Sequence, residues 1–360
     1  MAKIDAFFHL MHDQGGSDLH LVAGQLPAIR IRGEIERIKY SKLTNDELKV
    51  LLYEITPEHK IKVFEETGDI DFAYEVPSLA RYRANYFQQK YGVGAVFREI
   101  PNKIATCAEL GLPSVVAKLA LLPRGLVLVT GPTGCGKSTT LAAIIDEANR
   151  LRKDHIITIE DPIEFVHETQ GCIVNQREVG VHTKSFAAAL RGALREDPDI
   201  IMVGEMRDLE TMSLALEAAS TGHLVFATVH TTSAAKTVDR IVEVFPAHEQ
   251  LQIRSTLADG LRAIISQILF KRIDIKGRCV ALEILIATPA VRNLVRESKT
   301  FQIPSTIQTG KKYGMQMMDD GIMDLYSRGW ISADEAYTKC NEKSRFRHFL
   351  KYAPSDFTEA

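Results

Sequence analysis

The residues Gly131-Pro132-Thr133-Gly134-Cys135-Gly136-Lys137-Ser138 fit the pattern G-x-x-x-x-G-K-[ST] without a mismatch. A loop of this kind handles phosphate. Its glycines let backbone N–H groups crowd a polyphosphate with no Cβ in the way. Lys137 can reach the β- and γ-phosphates of ATP, and the Ser138 hydroxyl can hold Mg²⁺. Thr139 continues the same phosphate-binding stretch.

Two acidic clusters and a pair of histidines follow. In Ile157-Thr158-Ile159-Glu160-Asp161-Pro162-Ile163-Glu164, three carboxylates stand within five residues, suited to ordering Mg²⁺ and to positioning or deprotonating an attacking water. Asp199-Ile200-Ile201-Met202-Val203-Gly204-Glu205 is an apolar strand ending in an acid, with Gly204 where an aspartate is usual. Metal contact then falls to Glu205, through water. His223 and His230 bracket the apolar run Leu224–Val229. A strand of seven residues holds them roughly 20 Å apart, which argues against a shared metal. His230, at the carboxyl end, is placed to sense a γ-phosphate; His223, at the start, to couple the strand to a neighbour.

These residues need strands and helices to place them. Leu126–Val129 is an apolar run ahead of the loop, and Leu141, Ala142, Ile144 and Ile145 continue a helix face behind it. Strand, glycine loop and helix together are the context in which the pattern means a phosphate site. From 113 to 288, strands alternate with helices, as in a mostly parallel sheet covered on both faces. The expected strands are Gly125–Thr130, His155–Glu160, Gly171–Asn175, Asp199–Gly204, His223–Val229, Ile264–Phe270 and Arg278–Ile286. Residues 1–100 read as a separate α+β domain. Thr44-x-x-Glu47 there is a capping-box pattern, and Thr56 before Pro57 is a second N-cap. Residues 101–112 read as a linker, with Ser114 capping a helix over Val115–Leu122. Residues 289–360 read as helical. In Ala290–Glu297, Ala290, Val291, Leu294 and Val295 form one apolar face.

Composition bounds the function. With 44 Lys and Arg against 46 Asp and Glu, the net charge is −2, and no global basic footprint for nucleic acid is present. The five cysteines are scattered with no C-x-x-C, against both a disulfide framework and a cysteine zinc site. A reducing cytoplasm fits that usage. No apolar run approaches a membrane span, and Met1–Asp5 lacks a signal-peptide core.

The order and spacing of the phosphate loop, the acidic stretch 157–167, the strand ending Val203-Gly204-Glu205-Met206-Arg207-Asp208 and the stretch Gly222–His230 resemble the secretion ATPases of the type II/type IV pilus superfamily, and within it the pilus retraction branch. Gly16-Ser17-Asp18-Leu19-His20-Leu21 also matches. Ala290-Val291-Arg292-Asn293-Leu294-Val295-Arg296-Glu297 is similar to the family's A-I-R-N-L-I-R-E retraction motif, with valine at 291 and 295. The four-cysteine zinc site and extra N-terminal domain of the extension branch are not found.

The resemblance implies an α/β fold: a RecA-like P-loop ATPase core, a smaller PAS-like α+β domain before it, and C-terminal helices. It implies a hexameric ring with active sites between the two domains, driving pilus retraction and twitching motility. By carry-over, Glu164 is the catalytic glutamate, Glu205 the Walker B acid, and His223 and His230 the histidine-box residues. Arg83 and Arg98 are similar in position to arginines that reach the nucleotide phosphates. The implied partners are further copies of the chain, the inner-membrane platform protein and a paralogous retraction ATPase, at the cytoplasmic face of the inner membrane. Two other readings stay open: a nucleotide-gated accessory paralogue with little hydrolysis of its own, and a RecA-like motor on nucleic acid, which the charge balance disfavours.

Overall fold

The computed structural model describes residues 2–31, 33–100 and 103–352. Arg32 lies outside them, as do Pro101 and Asn102 at the start of the expected linker. The chain divides into two compact units: Met1–Lys103 with Pro162–Val166, and Ile104–Asp161 with His167–Ala360.

The first unit is an antiparallel sheet of six strands: β1 (Gly16–Val22), β2 (Ala28–Ile31), β3 (Glu34–Arg37), β4 (Asp69–Val76), β5 (Ala80–Gln89) and β6 (Gly92–Ile100), in the order β3-β2-β1-β6-β5-β4. Helices α1 (Asp5–Asp13), α2 (Asn45–Glu54) and α3 (Glu58–Thr67) accompany it. Its core is aromatic: Phe8 stacks on Tyr82 and meets Phe97 edge-on, and Tyr86 meets Phe64, Phe72 and Phe97 edge-on. Thr44 and Glu47 form the expected reciprocal cap on α2. Thr56 does not cap α3. Its hydroxyl donates to the Leu52 carbonyl at the end of α2, and Pro57 takes the cap position without a side-chain bond.

The second unit carries strands β7 (Gly125–Thr130), β8 (His155–Glu160), β9 (Ile173–Glu178), β10 (Ile200–Val203), β11 (Leu224–Val229), β12 (Leu261–Lys271) and β13 (Arg278–Ile286). They form one sheet in the order β13-β12-β7-β11-β10-β8-β9, parallel throughout except for the antiparallel β12–β13 pair. The helices are α4 (Ser114–Lys118), α5 (Lys137–Leu151), α6 (Phe186–Ala193), α7 (Leu209–Thr221), α8 (Ala234–Glu243), α9 (Gln250–Gly260), α10 (Pro289–Arg296), α11 (Ile303–Thr309), α12 (Met318–Ser327), α13 (Ala333–Lys339) and α14 (Ser344–Arg347). Strand residues alternate between two cores. Leu126, Leu128, Ile157, Ile159, Ile201 and Val203 join one; Val127, Val129, Ile156, Ile200 and Met202 join the other. A sheet buried on both faces explains why these strands read as unbroken apolar runs rather than alternating ones.

Three further local expectations need correction. The strand expected over Gly171–Asn175 is Ile173–Glu178: a Cβ on Gly171 would sit 2.4 Å from the Arg152 carbonyl, so Gly171 packs on the end of α5 instead of entering the sheet. Ser114 is the first residue of α4 rather than its cap, and α4 gives way at Leu119 to a tighter 3₁₀ turn. On α10 only Val291 and Val295 are buried; Ala290 is exposed, so the apolar face is a narrow stripe.

Candidate active site

The phosphate loop grows from the fully buried strand β7 and delivers the chain to α5 through Gly136, a left-handed cap with φ +87°. Gly131 has φ +145°, and a Cβ there would lie 2.5 Å from the Gln267 carbonyl and 2.6 Å from Cys135 Sγ. Only glycine fits both the torsion and the space. The Lys137 ammonium donates to the carbonyls of Gly131 (3.0 Å) and Pro132 (3.2 Å), folded back over its own loop. Ser138 and Thr139 follow, half-buried in the first turn of α5, while Pro132, Thr133 and Gly134 are exposed at the tip. Cys135 is buried, and burial pushes its thiol above the usual range, more than Lys137 pulls it down. Its sulfur is a packing group rather than a reactive thiolate.

Parallel pairing brings the other carboxyl ends to the same edge. Val229 is opposite Thr130, Ala227 opposite Val203, and Val203 opposite Ile159, so Glu160, Glu205 and His230 emerge beside the phosphate loop. Glu205 Oε1 lies 2.9 Å from His230 Nε2, and Oε2 accepts from Arg207 at 2.6 Å. Burial pushes the Glu205 carboxyl up, but Arg207 and His230 outweigh it and hold it below its ordinary value. The Thr228 hydroxyl donates to the Gly204 carbonyl at 2.6 Å and fixes the strand end that carries Glu205. Glu160 is buried and accepts from the Thr158 hydroxyl (2.7 Å) and the Gln176 amide (3.1 Å).

His223 does not join this edge. It precedes β11 at the amino end of the sheet, where its carbonyl accepts from Gly125 N and its Nδ1 lies 3.0 Å from the Ala218 carbonyl. The length of β11 separates it from the phosphate loop of its own chain. Arg83 and Arg98 belong to the first unit and are directly opposed across β5 and β6. Like charges so placed repel. Each is offset by its own acid: Arg98 Nε donates to Asp18 at 2.7 Å, and Arg83 Nε lies 3.4 Å from Asp71. Glu164 is exposed, in the segment Pro162–Val166 that belongs to the first unit.

The residues fit a nucleotide's phosphates: a glycine loop without side chains at its close approaches, an adjacent helix start, and a lysine whose present partners are carbonyls that phosphate oxygens can replace. Among the described residues no cluster of three or more His, Cys, Asp or Glu forms a metal cage. Ser138 with the already-paired Glu205 suits a cation that keeps its waters and arrives with the nucleotide, as Mg²⁺ does.

Sequence reading missed the support beneath the loop. Gln267, 1% exposed on β12, donates its amide to the Cys135 carbonyl at 2.7 Å. Next to it, Ser266 Oγ lies 2.8 Å from Thr130 Oγ1 at the base of the loop, and both residues are fully buried. The signal available was a polar pair, Ser266-Gln267, inside the otherwise apolar run 263–270.

Residues 112–336 match the family model described as Type II/IV secretion system protein. Over 333 residues the chain is 55% identical to the type IV pilus retraction ATPase PilT of Pseudomonas aeruginosa, covering 92% of this chain and 96% of that one. It is 38% identical over 349 residues to the type IV pilus ATPase PilU of the same organism, covering 97% of this chain and 91% of that one. The fold matches the crystal structure of the pilus retraction motor PilT with bound ADP at a TM-score of 0.89 and 46% identity, covering 96% of this chain and 98% of that one.

Proposed function

This chain belongs to the Type II/IV secretion system protein family, and from that premise we propose that it is the ATP-hydrolysing motor that retracts type IV pili by driving pilin disassembly. The observation that carries the reading is 55% identity to a retraction ATPase across 92% of the chain. Chemical support comes from the phosphate loop, Glu205 and His230 standing at one sheet edge.

In this reading ATP lays its phosphates in the loop 131–136. Lys137 leaves the Gly131 and Pro132 carbonyls for phosphate oxygens. Ser138, and Glu205 through water, hold Mg²⁺, which when bound offsets charge on the β- and γ-phosphates. Glu164 orients the attacking water and takes its proton. His230 keeps Glu205 oriented and ionised and reports on the γ-phosphate. Arg83 and Arg98 supply positive charge to the phosphates. Six copies act as a ring, cytoplasmic and peripheral at the inner membrane, on the platform protein of the pilus. No helix among the described residues is long and apolar enough to cross a membrane.

The test is twitching motility in a strain lacking its own retraction ATPase, complemented with this chain or its Glu164→Gln form. Rescue by the first and not the second is expected. Rescue by both would remove Glu164 from the chemistry. The 38% identity to PilU favours a second reading, an accessory paralogue. Failure of both forms, with ATP turnover intact in the purified wild type, would select it.

A further inference from the structure

At the amino ends of β7 and β12, on the far edge of the sheet from the phosphate loop, lies an open pocket of about 370 Å³. Its lining includes Arg124, Ser220, Thr256, Asp259, Gly260 and Arg262. The six residues of β7 put it roughly 17 Å from the loop, at about 3.3 Å per residue. All its lining residues belong to the second unit.

Charge is unbalanced there. Arg262 is committed to the fold: its Nη1 donates to the carbonyls of Asp259 (2.8 Å), Gly260 (3.1 Å) and Leu261 (3.1 Å), closing the end of α9. Its stem fills the space where a Cβ on Gly125 would be, 2.6 Å from Arg262 Cγ. Asp259, the one acid in the lining, is taken by Arg296 of α10. Arg292, on the same helix, donates to the Ala287 carbonyl at 3.0 Å. Arg124 has no such work. It is exposed, among the described residues it has no ion-pair partner, and the like charge of Arg262 is felt nearby. Burial first, then Arg292 and Arg124, press the Arg262 guanidinium below its ordinary pKa. Two guanidiniums, Arg124 and Arg262, thus line the pocket with one carboxylate that Arg296 already engages.

The lining also says which anion suits. Ser220 and Thr256 spend their protons on the Leu216 and Gln252 carbonyls. The helices that reach the pocket, α7 and α9, do so with their carboxyl ends, at Thr221 and Gly260. Helix carboxyl ends oppose a dense phosphate dianion, whose usual home is a helix amino end. What remains is guanidinium alone, which pairs with carboxylate and phosphate alike through parallel N–H···O bonds; the helix carboxyl ends repel a dianion more than a singly charged carboxylate and so favour the latter.

We infer that this pocket seats an acidic side chain of a protein partner on Arg124, beside α10; the inference takes from the proposed function only that the motor has such a partner. The occupied pocket would link that partner to α10 through Asp259 and Arg296.

The test uses the full chain with Arg124→Lys, Arg124→Ala and Arg124→Glu in the twitching assay, with ATP turnover measured on each purified form. Retraction should fall only partly in the lysine form, which keeps the charge but not the fork, and about tenfold or more in the glutamate form, while turnover stays within about twofold. Normal retraction by Arg124→Glu, or a parallel loss of turnover, would overturn the inference. Should the wild type itself not retract, the retraction reading fails separately, and a fluorescent glutamate-rich peptide decides the pocket. Binding by the wild type that Arg124→Glu abolishes supports it; no binding overturns it. Arg124-dependent binding of inorganic phosphate or of phosphatidylglycerol vesicles, with none of the peptide, would overturn it in favour of phosphate or lipid.

Discussion

The two edges of the seven-stranded sheet treat charge in opposite ways. At the carboxyl edge each functional group has an internal partner: Lys137 on loop carbonyls, Glu205 on His230 and Arg207, Glu160 on Thr158 and Gln176. At the amino edge Arg124 stands among like charges with no acid of its own. Groups poised for a ligand that comes and goes are held in place by bonds the ligand can exchange. A surplus that nothing among the described residues offsets points outward, to a group of opposite charge on something else. The contrast is physical, and it can be broken at either edge.

The largest effect should come from removing the exchangeable lysine. Lys137→Ala loses the only ammonium in the loop and should lower ATP turnover about 10²–10³-fold, while leaving the melting temperature nearly unchanged, because the lysine's present bonds are to partly exposed carbonyls. A small loss of turnover would mean that the pairing at this edge is structural and not poised.

The second effect is on stability and runs through pH. His167 donates its backbone N–H to Gln176, which in turn donates to Glu160, so it is tied to the carboxyl edge. Burial lowers its pKa from 6.5 to about 4, against a small pull from Asp146. The folded ring stays neutral where the unfolded one takes a proton. Its contribution is therefore fully present above about pH 6.5 and is lost as pH falls towards 4, on the order of 3 kcal/mol in all. Denaturant titrations at pH 7 and pH 4.5 should show a loss that His167→Gln largely removes. An equal acid loss in the variant would place the lability elsewhere.

Much of the carboxyl edge was legible because its signals are local. A glycine pattern between an apolar run and a helix face locates a phosphate loop, and parallel strands put every strand-ending acid on the same side. The two histidines were separable for a related reason: His223 begins the strand that His230 ends, and strand direction alone sends it to the other edge. What could not be read was tertiary. The bond from Gln267 to Cys135 spans 132 positions and exists only because β12 lies beside β7. Strand β3, Glu-Ile-Glu-Arg, is exposed along its whole length, so no buried face prints an alternation into it. Gly171 looks like a strand residue until the end of α5 is seen against it. The arginine surplus around Arg124 is invisible in a chain whose net charge is −2.

Gln267 is the third way to probe the carboxyl edge, since it acts on the loop from behind. Gln267→Leu removes the donor to the Cys135 carbonyl and leaves that acceptor buried and unpaired, at a cost of about 1–3 kcal/mol. Nucleotide affinity should fall about tenfold, with a smaller change in turnover at saturation, because the loop is less pre-formed but its lysine is intact. Gln267→Glu should be worse, placing an acceptor against an acceptor. Unchanged affinity in both would show that the loop holds its shape without this support.

The smallest effect separates holding the loop from holding the sheet. Thr130 and Ser266 share one buried hydrogen bond between β7 and β12, a single residue below Gly131 and Gln267. Ser266→Ala strands the Thr130 hydroxyl and should cost about 1–2 kcal/mol of stability. Thr130→Val should cost a similar amount by stranding the serine. The double variant removes donor and acceptor together, so it should lose less than the sum of the two. Nucleotide affinity should stay near wild type in all three, because neither hydroxyl touches the loop carbonyls. If instead affinity falls in step with stability, the strand junction and the loop move as one body, and the pre-organisation assigned to Gln267 belongs to the whole β7–β12 seam.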